Sequence, residues 1–230
     1  MNKLLSVSGP IRKILPAVLV VLVVVACSQD HYEKGEGNYS SLKADFGEAH
    51  ARSDKMVDYV MTDDGERIDI PQPFTKSWIE TPDSLYRSMV YYKGEGQSVE
   101  VVSLSRVSVI DSLLPADSLG NRMKTDPLTF ESMWVSKNKR FLNVGFYLKT
   151  GVADSEEAFH HLGLVSDTLI TWPDGKRTLC TRLYHDQGGV PEYYSERSYF
   201  SLLLSRMQAD SIQLTINTYK GEVVKCLGIR

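Results

Sequence analysis

Ile212, Leu214 and Ile216 alternate with Gln213, Thr215 and Asn217, and this period of two recurs through most of the chain. Residues two apart on an extended backbone share a face, so such runs fold as strands with one apolar and one polar side. Leu42, Ala44 and Phe46 alternate in the same way with Lys43, Asp45 and Gly47. Met56–Thr62 and Glu66–Ile70 flank Asp63-Asp64-Gly65, and Asp-Gly between strand-like runs signals a tight hairpin. Pro71 and Pro73 are expected to end that pair, because proline has no N–H to give a ladder. Phe74–Glu80 reads as one helical turn or a loop. Ser84–Tyr92 reads as a fourth strand, closed by Lys93-Gly94-Glu95-Gly96. Val99–Ile110 is a long β-branched fifth, and its alternation slips at Val101-Val102, which predicts a bulge. Five strands in so short a stretch suit a small closed barrel of the OB type over residues 41–114.

Residues 115–127 carry two prolines, a Gly-Asn pair and four charges, and read as a linker. Residues 128–230 are again β-rich. Strands are expected at Phe130–Ser136, Arg140–Lys149, His161–Thr171, Arg177–His185, Ser198–Met207, around 212–216, and at Val223–Leu227. Pro173-Asp174-Gly175 supplies a hairpin turn. Glu156–His160 is too short to support a helical layer, which leaves α+β as the minor alternative. The expected fold is all-β: a small OB-like barrel followed by an immunoglobulin-like β-sandwich.

The N-terminus is of another kind. Ile14–Cys27, ILPAVLVVLVVVAC, is an apolar run behind Lys3, Arg12 and Lys13, with no acidic residue before Asp30. That is the layout of a secretory signal peptide, too short for a spanning helix. Val24-Val25-Ala26-Cys27 resembles the lipobox of a bacterial lipoprotein. In that resemblance residues 1–26 are removed and the Cys27 thiol carries a diacylglycerol. With a further acyl chain this makes a stable two-signal anchor. The expected location is the outer membrane, with the periplasmic face and the cell surface both open. Residues 27–40 are polar after Cys27 and include two glycines, as in a flexible tether.

Cleavage removes three positive charges and no negative ones, so the formal net charge moves from −3 to −6. Such a chain has no basic footprint for nucleic acid, and its membrane contact is expected through the lipid alone. Cys180 and Cys226 remain after cleavage, and a bridge between them or two quiet thiols are both open.

Candidate chemistry is sparse. His160-His161 and His185-Asp186 are adjacent pairs, and neighbours on a strand point to opposite faces, so neither pair can ligate one ion. No Gly-x-Ser-x-Gly is present, and Ser195 and Ser205 sit in plain contexts. Cys180 alternates with Arg182 and Tyr184, and a nearby arginine could lower its pKa, but a small strand residue is the simpler reading. Asp63 and Asp64 stand before glycine as turn formers. No metal, cofactor or catalytic residue is assigned. Of the aromatic groups Trp78, Tyr91-Tyr92 and Tyr193-Tyr194, the last follows a loop with Gly188, Gly189 and Pro191, and loops carry function. Tyr193, Tyr194, Gly188 and Gly189 are therefore the candidate partner-binding residues.

In this order the chain resembles the NigD-like lipoproteins of anaerobic Gram-negative bacteria. The resemblance runs from Cys27 to the C-terminus. It rests on the lipobox, on Asp63-Asp64-Gly65-Glu66-Arg67-Ile68-Asp69-Ile70, and on Asp126-Pro127 leading to Trp134. It continues through Phe141-Leu142-Asn143-Val144 and Leu183-Tyr184-His185-Asp186, then Gly188, Pro191 and Tyr194. The resemblance implies an OB-like domain before a β-sandwich, and an envelope lipoprotein linked to bacteriocin production or immunity. It supplies no site residues. The expected function is a lipid-anchored, non-enzymatic binding or accessory module that engages a protein, peptide or glycan. The alternatives are a structural subunit of a surface assembly, or a secreted hydrolase using His160, His185 and nearby acids.

Overall fold

A computed structural model describes residues 42–94, 99–153 and 158–230. The expected signal segment, Cys27, the expected tether, Glu95-Gly96 of the expected turn and Glu156-Glu157 lie outside the described residues. Among the described residues no helix is long and apolar enough to cross a membrane.

The first sheet is formed by β1 (Lys43–Ala51), β2 (Val57–Thr62), β3 (Arg67–Phe74), β4 (Ser84–Lys93) and β5 (Glu100–Arg106), in the order β3-β2-β1-β4-β5. It wraps one apolar cluster that includes Ala49, Val57, Val60, Ile68, Val90 and Leu104. Among the described residues the barrel is not closed, because β3 and β5 stand at the two edges of the sheet. Proline explains part of this. Pro71 and Pro73 do not end β3, which continues to Phe74, but they leave its edge without two donors. The strand bows there: Val57 pairs with Phe74 and Tyr59 with Asp69, so Asp58 alone faces residues 70–73.

The Asp63-Asp64-Gly65 hairpin forms as expected, with Thr62 N–H donating to the Glu66 carbonyl at 2.8 Å. The bulge is also present. Tyr91 pairs with Ser103 and Tyr92 with Val101, which leaves Val102 as the extra residue. The reading of β1 needs correction. Leu42 and Ala44 are exposed, whereas Ala49 and Ala51 enter the core and Phe46 packs on the opposite side of the sheet. Both faces of β1 are covered over part of its length, so no single alternation marks the buried one.

All seven strands expected in the second half are present. One sheet contains β8 (Thr129–Val135), β9 (Phe141–Thr150) and β12 (Tyr194–Leu203). The other contains β10 (His161–Thr171), β11 (Arg177–Asp186), β13 (Ser211–Thr218) and β14 (Gly221–Gly228). Leu142, Val144, Phe146, Phe200 and Leu202 of the first meet Leu164, Leu183, Ile212, Leu214 and Ile216 of the second in a single core. β12 starts earlier than expected and stops at Leu203, where Leu204–Arg206 tightens into a 3-10 turn.

The run Val99–Ile110 is not one strand. It breaks at buried Val107, whose N–H donates to the Arg87 carbonyl at 3.0 Å. Beyond the break, β6 (Ser108–Ile110) pairs in parallel with β12, and β7 (Leu114–Pro115) with β10. The expected linker region then holds one helical turn, Ala116–Leu119, and a 3-10 turn, Gly120–Arg122. Thr125 and Leu128 bridge to His185 and Thr218.

Arg87 joins the curled sheet to the sandwich, and nothing in the sequence pattern announced it. On β4, Val90 and Tyr92 face the inner cluster, while Arg87 points the other way. Its guanidinium donates to both carboxylate oxygens of Asp63 (2.6 and 2.7 Å), to Asn143 Oδ1 (3.0 Å) and to Ser201 Oγ (3.1 Å). It lies 4.2 Å from the Phe141 ring centre. Around it, Phe46 meets Trp134 and Tyr199 edge-on at 5.4 and 5.2 Å, and Glu48 pairs with Arg140.

Candidate functional site

The loop between β11 and β12 is built from backbone outward. Asp126 N–H donates to the His185 carbonyl (2.9 Å), His185 N–H donates to the Lys124 carbonyl (3.1 Å), and His185 Nδ1 lies 2.8 Å from the Asp126 carbonyl. The Asp126 carboxylate then accepts from Gln187 N–H (2.8 Å), and the Asp186 carboxylate accepts from Gly188 N–H (3.0 Å). Gln187 Nε2 donates to the Val190 carbonyl at 2.8 Å. Gly188 has φ +60°, and a Cβ there would stand 2.2 Å from the Phe159 carbonyl oxygen. Only glycine fits that approach. The loop is thus braced rather than slack, unlike the flexible segment its glycines suggest.

This bracing presents aromatic side chains to solvent. Tyr193 is 77% exposed and Tyr194 55%. Tyr193 N–H donates to the Thr150 carbonyl (3.0 Å), and its ring lies against Gly151. Val152, Phe159 and Tyr219 are exposed at the same end. Glu192 sits beside Tyr219 and, after burial, holds the phenol pKa above its usual value. The other aromatic candidates are placed differently. Tyr92 is buried, Tyr91 is half-buried beside it on β4, and Trp78 packs edge-on against Tyr86 at 5.8 Å.

The histidines meet in a combination that adjacency could not reveal. His160, from the segment before β10, and His185, from β11, approach to 3.0 Å between Nδ1 and Nε2. A carbonyl can only accept, so His185 Nδ1 carries its proton toward Asp126. His185 Nε2 therefore accepts from His160 Nδ1–H, and buried His160 Nε2 has no hydrogen-bond partner. Burial, then the neighbouring His185, holds the His160 pKa below its ordinary 6.5. The Lys149 backbone, then Asp126 and Glu196, pull the other way without cancelling this. The unfolded chain thus binds the proton more readily. The stability this site contributes is complete above about pH 6.5 and is lost as pH falls through the lower folded value. Between pH 7.5 and 5 the wild type should lose more stability than His160→Asn, which keeps a donor toward His185. Urea titrations at both pH values measure this, and equal losses would show that another group titrates.

Elsewhere the candidate residues take structural positions. Cys180 and Cys226 are both free, and Gln213 stands between them in register, two strand spacings apart. Two spacings, about 10 Å, exceed the reach of a disulfide. Burial pushes the Cys180 thiol pKa up, away from an activated thiolate, and Arg182 pairs with Asp167 at 3.1 Å instead. Asp63 is more than a turn former, since it receives Arg87, and Asp64 pairs with Lys137 at 2.6 Å. Ser195 lies on β12 opposite Lys149, and Ser205 in the 3-10 turn after it. Among the described residues no group of three His, Cys, Asp or Glu is placed to hold a metal ion.

The sequence profile of the NigD-like C-terminal beta sandwich domain matches residues 112–227. The chain belongs to the NigD-like family. No protein sequence of curated function matches it. Among solved structures, a NigD-like immunity protein from Bacteroides caccae aligns with a TM-score of 0.62 at 24% identity, over 80% of this chain and 92% of that one. A protein of unknown function from Bacteroides vulgatus aligns at 0.57 and 16%, over 81% and 90% of the two chains. A putative toxin-related protein from Parabacteroides distasonis gives 0.57 and 16%, over 81% and 92%. At these identities the likeness is one of fold. Part of the short motifs that carry the NigD-like resemblance gathers at two places in this fold. Asp63, Phe141 and Asn143 surround Arg87, while Asp126, His185, Asp186 and Gly188 brace the loop below Tyr193 and Tyr194.

Proposed function

We propose that this protein is a lipid-anchored envelope component that acts by binding, in bacteriocin immunity, and that its contact surface is the aromatic end of the sandwich. The carrying observation is the pair Tyr193 and Tyr194, exposed where a loop held by Asp126, Asp186 and Gln187 runs into β12. Rigid aromatics bury much area at little entropic cost, which is why they recur as anchors of protein interfaces. The immunity role is supported by the fold shared with a Bacteroides caccae protein described as a NigD-like immunity protein. The anchor is supported by the Val24-Val25-Ala26-Cys27 sequence, ahead of a folded body that begins near Leu42.

Deleting the gene in its native host and exposing the cells to bacteriocin-containing supernatants of sister strains tests the reading. Killing should rise about tenfold or more, and the wild-type gene should reverse it. Tyr193→Ala with Tyr194→Ala should restore little protection, since two interface anchors contribute on the order of 2 kcal/mol each. The double variant should still fold and reach the membrane, whereas Cys27→Ala should fail through release from it. Unchanged killing on deletion removes the immunity role. Full rescue by the double variant removes the aromatic end.

A further inference from the structure

The outer face of the larger sheet carries a second feature, at the opposite end of β11. The register sets Thr178 beside Ser211, and Ser211 beside Gly228, so three small residues lie abreast on neighbouring strands. The Thr178 and Ser211 hydroxyls are 2.8 Å apart, which places both on the same face. A Cβ added at Gly228 would meet nothing within 4 Å, so the floor is open there. At the β10–β11 turn stands Trp172, 51% exposed. Its indole N–H donates to Thr178 Oγ1 at 2.8 Å, which fixes the ring while leaving much of it in solvent. The hollow so formed measures about 660 Å³ and is of a size for small ligands.

The rim is polar and balanced. Asp174 and Lys176 come from the turn, Asp210 and Arg230 from the other side. Their ion pairs are long, 3.6 and 3.5 Å. One oxygen of each carboxylate also accepts a backbone N–H, from Lys176 at Asp174 (3.1 Å) and from Arg177 at half-buried Asp210 (2.8 Å). The remaining lone pairs and the two cations keep hydrogen-bonding capacity for a ligand. Two carboxylates and two cations together favour neither an anion nor a cation. A ligand that suits this hollow is uncharged, has one apolar face for the indole, and carries donors and acceptors around its edge. A pyranose ring has that construction: C–H bonds on one face and hydroxyls at the periphery.

We propose that this trough is a glycan-binding site, which stacks the C–H face of a neutral pyranose on Trp172 and receives its hydroxyls on Asp174, Lys176, Asp210 and Arg230. The span of β11, Arg177 to Asp186, separates it from the tyrosine end by about 30 Å, so the two sites act independently.

The test is calorimetric titration of the mature full chain, in a detergent without sugar groups, with cellobiose, N-acetylchitobiose and lactose. At least one should bind with a Kd of about 1 mM or tighter. Trp172→Ala should weaken that binding about tenfold or more, the usual cost of losing an aromatic anchor. Gly228→Leu fills the floor from a position with open space around it, so it should block binding without altering the thermal melt. Tyr193→Ala with Tyr194→Ala should leave sugar binding unchanged, which separates this site from the proposed immunity surface. No heat from any of the three sugars up to about 10 mM, or binding indifferent to both trough variants, overturns the proposal.

Discussion

Arg87→Ala should cost about 3–5 kcal/mol of stability, a drop of roughly 10 °C in melting temperature for a body of this size. The arginine side chain is 1% exposed and that of Asp63 12%. Truncation leaves the Asp63 carboxylate facing an emptied space, and removes donors from Asn143 and Ser201. Asn143 Oδ1 would keep only the Ser201 hydroxyl, at 2.7 Å, and Asn143 Nδ2 already lacks a partner. The loss also reaches Phe141, on which the guanidinium packs. Adding Asp63→Ala to the first variant should recover part of the stability, because no uncompensated buried charge then remains. Thermal and urea melts of the wild type, both single variants and the double variant check both statements. A loss under about 1 kcal/mol would mean that water replaces the arginine and that the joint is softer than it looks.

Gly188→Ala is expected to destabilise by on the order of 2–3 kcal/mol and to displace the loop. Two effects combine at this position. The backbone is left-handed at φ +60°, and the new methyl group would sit 2.2 Å from the Phe159 carbonyl oxygen. Gly189 separates the two causes. It is also left-handed, at φ +78°, but a Cβ there meets nothing within 4 Å. Gly189→Ala should therefore cost only the conformational part, about 1 kcal/mol. Paired denaturation curves measure the difference. Equal costs would show that the segment carrying Phe159 yields to the methyl group, and that the loop is not held by this approach.

The strands of the second half can be read from the order of residues alone, because one covered face leaves a readable alternation. Ile212, Leu214 and Ile216 enter the core as that alternation requires. The local turns and the bulge at Val102 are legible in the same way, since Asp-Gly dipeptides and slipped alternation act within a few residues. The exposed tyrosine pair was legible for the same reason: glycine and proline mark a loop, and the two rings follow it directly.

Other features depend on contacts between distant segments. Ala44 and Phe46 carry the same alternation as a core strand, yet Ala44 is exposed and Phe46 meets the sandwich, because β1 is covered on both faces along part of its length. Pro71 and Pro73 forbid donors but not an edge, so β3 runs through them. His160 and His185 lie 25 positions apart and meet only once β10 and β11 have paired. Trp172, Ser211 and Gly228 come together through a turn and a three-strand register. Arg87 reads as a surface charge in sequence, because its partners Asp63, Asn143 and Ser201 lie on three other segments of the chain. Hydropathy patterns encode which face of a strand is covered, and contacts between distant strands become visible only after the sheets are packed.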